Sequence, residues 1–269
     1  MAHFKRNSLV VALFLLGTAF FANAEEQSRY KLDLSTDIPL TLSAAGIFGM
    51  GTWLYHDMDT PDHVKSRDHL LPWDKPVAGR YSETADRMSD IGALLAVAPF
   101  TIGAISWHQG ASNGTEFATF SLMFVQAIAI GNGINLAVRS MEIWPRPYMY
   151  AESGDGKEKA ESAKAEAYGS FFSGHATAAF TVATFTDQWF KAAYPNSPYQ
   201  GIVRATAYSL AGLESALRVA AGKHYVSDVV VGALVGTGVS IGILEMHRKR
   251  NDKFSLGVGP GVAYITLRI

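Results

Sequence analysis

In the stretch Leu217-Arg218-Val219-Ala220-Ala221-Gly222-Lys223-His224-Tyr225-Val226-Ser227-Asp228, an arginine is followed by a histidine six residues on and an aspartate four beyond that. The stretch lies between two long apolar segments, where ionisable side chains are costly and usually functional. If the chain is helical from His224, the i,i+4 spacing sets Asp228 on the same face. Its carboxylate can then take the imidazole's second N–H and fix the tautomer. The other ring nitrogen is left free to attack an electrophile. The alternative is a loop histidine followed by an aspartate that caps the next helix.

Two further stretches offer matching groups. Arg139-Ser140-Met141-Glu142-Ile143-Trp144-Pro145-Arg146-Pro147 closes an apolar segment with two arginines seven apart. That spacing returns to one helical face, but Pro145 pushes Trp144 out of helical geometry, so Arg146 is expected in a bend just past the helix end. Arg139 alone would also fit as a charge flanking a membrane segment. In Phe171-Phe172-Ser173-Gly174-His175-Ala176-Thr177, a turn-prone Ser-Gly pair opens an Ala/Thr/Phe helix. Its free backbone N–H groups make a ready anion site, from which His175 would project. Three arginines, the Ser-Gly turn, two histidines and an aspartate together suit phosphoryl transfer without a metal. Guanidiniums neutralise the equatorial oxygens, one histidine attacks in line and the other protonates the leaving group. Arginine suits the fork-like contact to phosphate better than lysine would.

The elements that must carry these groups are apolar and helical. Among 269 residues, 48% are hydrophobic and the net charge is −1, which gives no reason to expect nucleic-acid binding. The mean hydropathy of +0.09 lies between that of a soluble globule and a polytopic membrane protein. There is no cysteine, which excludes disulfides, thiol chemistry and thiolate metal sites. Residues 1–24 have the layout of a signal peptide: Lys5 and Arg6, an apolar run from Leu9 to Phe21, then Ala22-Asn23-Ala24. The chain is therefore expected at the cell envelope, in the inner membrane with a periplasm-facing site or soluble in the periplasm. An uncleaved anchor is the alternative for the leader.

Apolar segments follow at 38–55, 91–107, 117–138, 171–190, 202–221 and 226–246, with little strand-like alternation between them. The expected fold is an all-α bundle of five to six apolar helices spanning residues 25–253, embedded in a membrane. Gly131, Gly133, Gly232, Gly236, Gly238 and Gly242 would allow close helix approach. The polar stretch from His56 to Asp90 holds His56, Asp57, Asp59, Asp62, His63, Asp68 and His69, which on paper could bind a metal. Their spacing matches no compact ligand motif, and Pro61, Pro72 and Pro76 mark turns, so a solvated loop is expected. Residues 157–167 read as a short exposed helix of mixed charge, and the tail 254–269 as a small hairpin or terminal strand.

The three stretches resemble the signature of the type 2 phosphatidic acid phosphatase superfamily, which includes class A acid phosphatases and vanadium haloperoxidases. The matching residues are Arg139-x6-Arg146-Pro147, Ser173-Gly174-His175 and Arg218-x5-His224-x3-Asp228, within a span from about Ser82 to Met246. Three positions depart from the pattern: Arg139 stands for the usual lysine, Phe172 for a proline and Leu217 for a serine. The resemblance implies His224 as a nucleophile that forms a phosphohistidine, Asp228 as its orienting partner and His175 as general acid, then base. It implies Arg139, Arg146, Arg218, Ser173 and Gly174 as the phosphate-binding set, with no metal and no cofactor.

The expected activity is hydrolysis of phosphate or diphosphate esters, of lipids in particular. A vanadate-dependent haloperoxidase using the same pocket is the alternative enzyme. A membrane protein whose arginines only bind lipid headgroups is the non-catalytic alternative.

Overall fold

The computed structural model describes residues 29–248, and the backbone of 254–259 and 262–267. The expected signal sequence, residues 1–24, lies outside the described residues. Helix α1, Leu34–His56, opens on Asp33, whose side chain accepts from the Ser35 N–H. A long connection with 3₁₀ turns at Arg67–His69 and Lys75–Val77 leads to α2, Glu83–Ile91, capped by Ser82. Helix α2 continues through a 3₁₀ stretch, Gly92–Val97, into α3, Ala98–His108, which has proline in its first turn. Helix α4, Gly114–Arg139, opens on a capping box between Asn113 and Glu116. After the short α5, Gly154–Glu161, come α6, Gly174–Ala193, α7, Gln200–Ala220, and α8, Val226–His247. The fold is the expected helical bundle, followed by an antiparallel pair, β1 Phe254–Gly259 with β2 Val262–Leu267.

Helix α6 sits at the centre, packed against α3, α4, α7 and α8. Its apolar end joins the core, where Phe120 stacks on Trp189 with ring centroids 4.8 Å apart and Met123, Phe124 and Phe185 fill the surrounding space. Its other end is threonine-rich yet buried. Thr177, Thr181 and Thr184 donate to the carbonyls one turn back, so these three hydroxyls stay satisfied on burial.

The crossing of α6 with α8 depends on two glycines. A Cβ on Gly232 would fall 2.5 Å from the Ser173 carbonyl oxygen, and one on Gly236 2.2 Å from that of Thr177. Gly133 meets α1 in the same way, at Gly51. Gly238 and Gly242, also expected at helix contacts, have nothing within 4 Å because they lie on the opposite face of α8.

Some boundaries follow the sequence reading and others differ from it. Helix α8 starts at Val226, where the apolar segment 226–246 begins, and Gly222 turns the chain after α7, so His224 lies in the turn before the helix. Arg146 lies in a bend past the helix end, as expected: α4 ends at Arg139, Glu142 takes a positive φ, and Arg146 is extended. The polar stretch turns helical at Glu83, where Ser82 supplies the cap and Glu83 pairs with Arg87. The charged helix ends at Glu161 and is followed by a separate 3₁₀ turn, Ala165–Ala167.

Among the described residues, three segments are long and apolar enough to cross a membrane: Glu83–His108, Gly114–Arg139 and Val226–His247. Helices α6 and α7 fall short of that standard, since ionisable residues such as Asp187, Arg204, Glu214 and Arg218 interrupt them.

Candidate active site

The turn that carries His224 is built from backbone. Ala221 ends α7, Gly222 has φ +67°, and the Arg218 carbonyl accepts from the N–H groups of both Lys223 and His224. A Cβ at Gly222 would lie 1.9 Å from the Arg80 carbonyl oxygen, so both conformation and space require glycine there. Buried Asp74 then ties down the start of α8, accepting from the Ser227 N–H and hydroxyl. The 56–82 connection packs Leu70 and Val77 against buried Tyr225 beside the histidine. Among the described residues, no group of three or more histidine, aspartate or glutamate side chains is gathered where a metal ion could be held.

His224 is 2% exposed, and its Nδ1 lies 3.3 Å from Asp228 Oδ2. The same carboxylate accepts from the Tyr225 N–H at 2.9 Å, the Ser170 hydroxyl at 2.6 Å and the Trp144 indole N–H at 3.1 Å. Held by these donors, Asp228 accepts most readily from a protonated Nδ1, which leaves Nε2 with its lone pair free. Both readings of Asp228 from the sequence therefore meet in one side chain, since it orients the histidine and also anchors the helix start. Trp144 and Ser170 carry no signature of their own. Their nearness to Pro145-Arg146 and to Ser173 is the only hint the sequence contains.

The α6 end of the site is joined to this turn by the Ser173 N–H, which donates to the Asp228 carbonyl at 3.0 Å. Ser173 caps α6 through its hydroxyl, which accepts from the Ala176 N–H. Asn135 donates to the Phe172 carbonyl, and its Oδ1 would lie 2.7 Å from a Cβ on Gly174. The His175 side chain is 39% exposed, with Nε2 3.8 Å from Asp90 Oδ1.

The three arginines are buried and differently engaged. Arg139 donates through Nε to the Gly169 carbonyl at 2.9 Å and through one terminal nitrogen to the Tyr55 hydroxyl at 2.8 Å, with its guanidinium 4.5 Å from the Tyr55 ring centroid. Arg218 donates to Ser89 at 2.8 Å and pairs with Asp86 at 3.2 Å and Asp90 at 3.5 Å. Lys223 reaches Asp86 as well, at 2.8 Å. Arg146 is fixed at its backbone, where its N–H donates to the Ala167 carbonyl. The Nε groups of Arg146 and Arg218 are buried with no partner among the described residues. Asp86 and Asp90 belong to α2 and were not expected at the site.

The charges converge on both histidines. Burial, followed by Arg218, Arg146 and Arg139, holds the His175 imidazole down to about 3. Burial and the same three guanidiniums hold His224 well below the usual histidine range. The unfolded chain binds protons on these residues near pH ~6.5, whereas the folded chain does not, so folded stability is lost as pH falls through that value. His175→Asn is therefore expected to flatten the fall in Tm between about pH 7 and about pH 5. Parallel Tm profiles for the variant and the wild type would contradict the depressed imidazole.

A cavity of about 390 Å³ opens beside the site, with Arg139, Gly174 and His175 at its polar end and Leu95, Leu136 and Val182 along its apolar wall. Residues 118–252 match the PAP2 superfamily, a span that contains Arg139, Arg146, Ser173, Gly174, His175, Arg218, His224 and Asp228. No curated protein and no solved structure matches the chain. With half of its 269 residues covered and the paired histidines and three arginines inside that half, the chain belongs to the PAP2 superfamily.

Proposed function

We propose that the protein is a metal-independent phosphatase that works through a phosphohistidine and acts on phosphate or diphosphate esters of lipids on the periplasmic side of the envelope. The observation that carries this reading is the pair of buried, unpartnered guanidinium N–H groups on Arg146 and Arg218 beside an oriented histidine. Buried donors without acceptors are costly, and phosphate oxygens supply the missing partners. Membership of the superfamily supports phosphoester hydrolysis at the same coarse level. The lipid part of the reading is supported by the apolar wall of the cavity and the three membrane-length segments. The export layout of residues 1–24 supports the periplasmic side.

In the proposed reaction, His224 Nε2 attacks phosphorus in line while Asp228 stabilises the imidazolium that forms. The ester P–O bond breaks, and the leaving oxygen takes a proton from His175. A water molecule then gives a proton to His175 and attacks phosphorus, the P–N bond breaks, and inorganic phosphate leaves with His224 neutral again. His175 must be protonated for the first half. Burial and the arginine field keep its proton off, and a phosphate dianion among the arginines offsets the second of these and favours the imidazolium.

The guanidiniums supply the charge that a divalent ion supplies in other phosphatases, so phosphate release from a lipid monoester is expected to persist in EDTA. Orthovanadate, which can adopt the trigonal bipyramid of in-line transfer, should compete with substrate. Loss of activity in EDTA, restored by a divalent ion, would overturn the mechanism. Halide oxidation by the vanadate-loaded protein would reassign the same site.

A further inference from the structure

The cavity beside the site contains one ionisable group that the phosphatase mechanism does not use. Glu214, on α7, is 4% exposed and lines this cavity with Arg139 and His175. It makes no hydrogen bond or ion pair within the described residues. Its natural partner would be Arg218, one turn along the same helix face. The Arg218 guanidinium, however, is drawn onto α2 by Asp86, Ser89 and Asp90. The Glu214 carboxylate reaches the cavity past Gly92, where a Cβ would lie 1.4 Å from its Oε2. A side chain at position 92 would therefore occupy the space that the carboxylate holds.

A buried carboxylate with no donor is unfavourable unless something else supplies the donor. Burial raises the Glu214 carboxyl to about 7, and in its ionised form, above that value, it repels a phosphate rather than pairing with it. We infer that Glu214 is a substrate-recognition residue that accepts a hydrogen bond from an ammonium or hydroxyl group on the organic part of the ester, a few bonds from the phosphorus. The substrate class would then be amphiphilic monophosphates with such a donor next to the phosphate-bearing carbon, and fully acylated or plain alkyl phosphates would fit less well. This rests on the phosphatase reading above. The arginine and histidine groups would hold the phosphate at one end of the cavity, Glu214 would take the donor, and the apolar wall would take the chain.

The test uses three phosphates of equal chain length: a 1-phosphoalkane and its 2-amino and 2-hydroxy analogues. Hydrolysis of the plain 1-phosphoalkane by the wild type reports on the phosphatase reading alone. The wild type is expected to prefer the donor-bearing analogues by at least about tenfold in kcat/KM, chiefly through KM. Glu214→Gln removes the charge but keeps an acceptor, so it should abolish the preference for the amine and retain part of that for the hydroxyl. Glu214→Leu should abolish both while leaving the plain alkyl phosphate within about twofold. Gly92→Ala, which displaces the carboxylate from outside α7, should behave like Glu214→Leu. A wild type that hydrolyses all three equally would overturn the inference, and so would a preference that survives Glu214→Gln unchanged. Equal slowing of all three substrates by the variants would show a structural role instead.

Discussion

His224→Asn is expected to lower phosphate release by at least ~10³-fold and to eliminate any acid-labile, base-stable phosphoenzyme trapped by rapid quench. Asparagine can still meet Asp228, so the carboxylate keeps its partners from Tyr225, Ser170 and Trp144 and the start of α8 should hold. The loss would then report on the nucleophile rather than on folding. Vanadate inhibition should weaken with it, since the apical nitrogen is gone. A variant that retained more than about a tenth of wild-type turnover would end the phosphohistidine mechanism, because no second nucleophile replaces a lost one at that efficiency.

Arg146→Ala is expected to cost about 10²- to 10³-fold in kcat/KM, the scale of removing one preorganised donor from a buried oxyanion site. Arg146 should matter more than its neighbours. Asp86 and Asp90 already offset Arg218, and Tyr55 and two carbonyls occupy much of Arg139, whereas Arg146 forms no ion pair among the described residues. Arg146→Lys should recover little, because an ammonium cannot reproduce the fork. The variant should also bind vanadate less tightly in proportion to its loss in kcat/KM. Near-wild-type kcat/KM in Arg146→Ala would place the phosphate elsewhere.

The grouping of the arginines, the histidines and Asp228 was legible because the three stretches keep their internal spacing and sit at the ends of apolar segments. The helical bundle was legible because those segments are long and do not alternate. The supports of the site were harder to read, for physical reasons. Asp86 and Asp90, four apart on α2, are indistinguishable in sequence from the solvated face of any amphipathic helix, and only the packing of α2 on α7 turns them toward Arg218. Trp144 and Ser170 serve Asp228 across more than fifty residues of chain, a distance that local patterning does not span. Whether His224 lay in the helix or before it stayed open in the sequence, because helical spacing and a tight pre-helical turn both bring residues four apart together, and His224 uses the second. The acidic and histidine-rich connection 56–82 reads in sequence as a solvated loop, yet its buried members, Leu70, Asp74 and Val77, brace the turn before α8.

The glycine contacts between α6 and α8 also govern how the site can accommodate substrates of different bulk. Backbone touches backbone at Gly232 and Gly236, and the Ser173 N–H is bonded to Asp228, so the wall carrying both histidines cannot widen without parting main chain from main chain. The opposite wall includes the 3₁₀ stretch Gly92–Val97, whose hydrogen-bond geometry is poorer than that of the α-helices on either side of it. Adaptation to a thicker or thinner guest therefore falls to that stretch, and the histidine-bearing wall works as a fixed anvil beside a more yielding jaw.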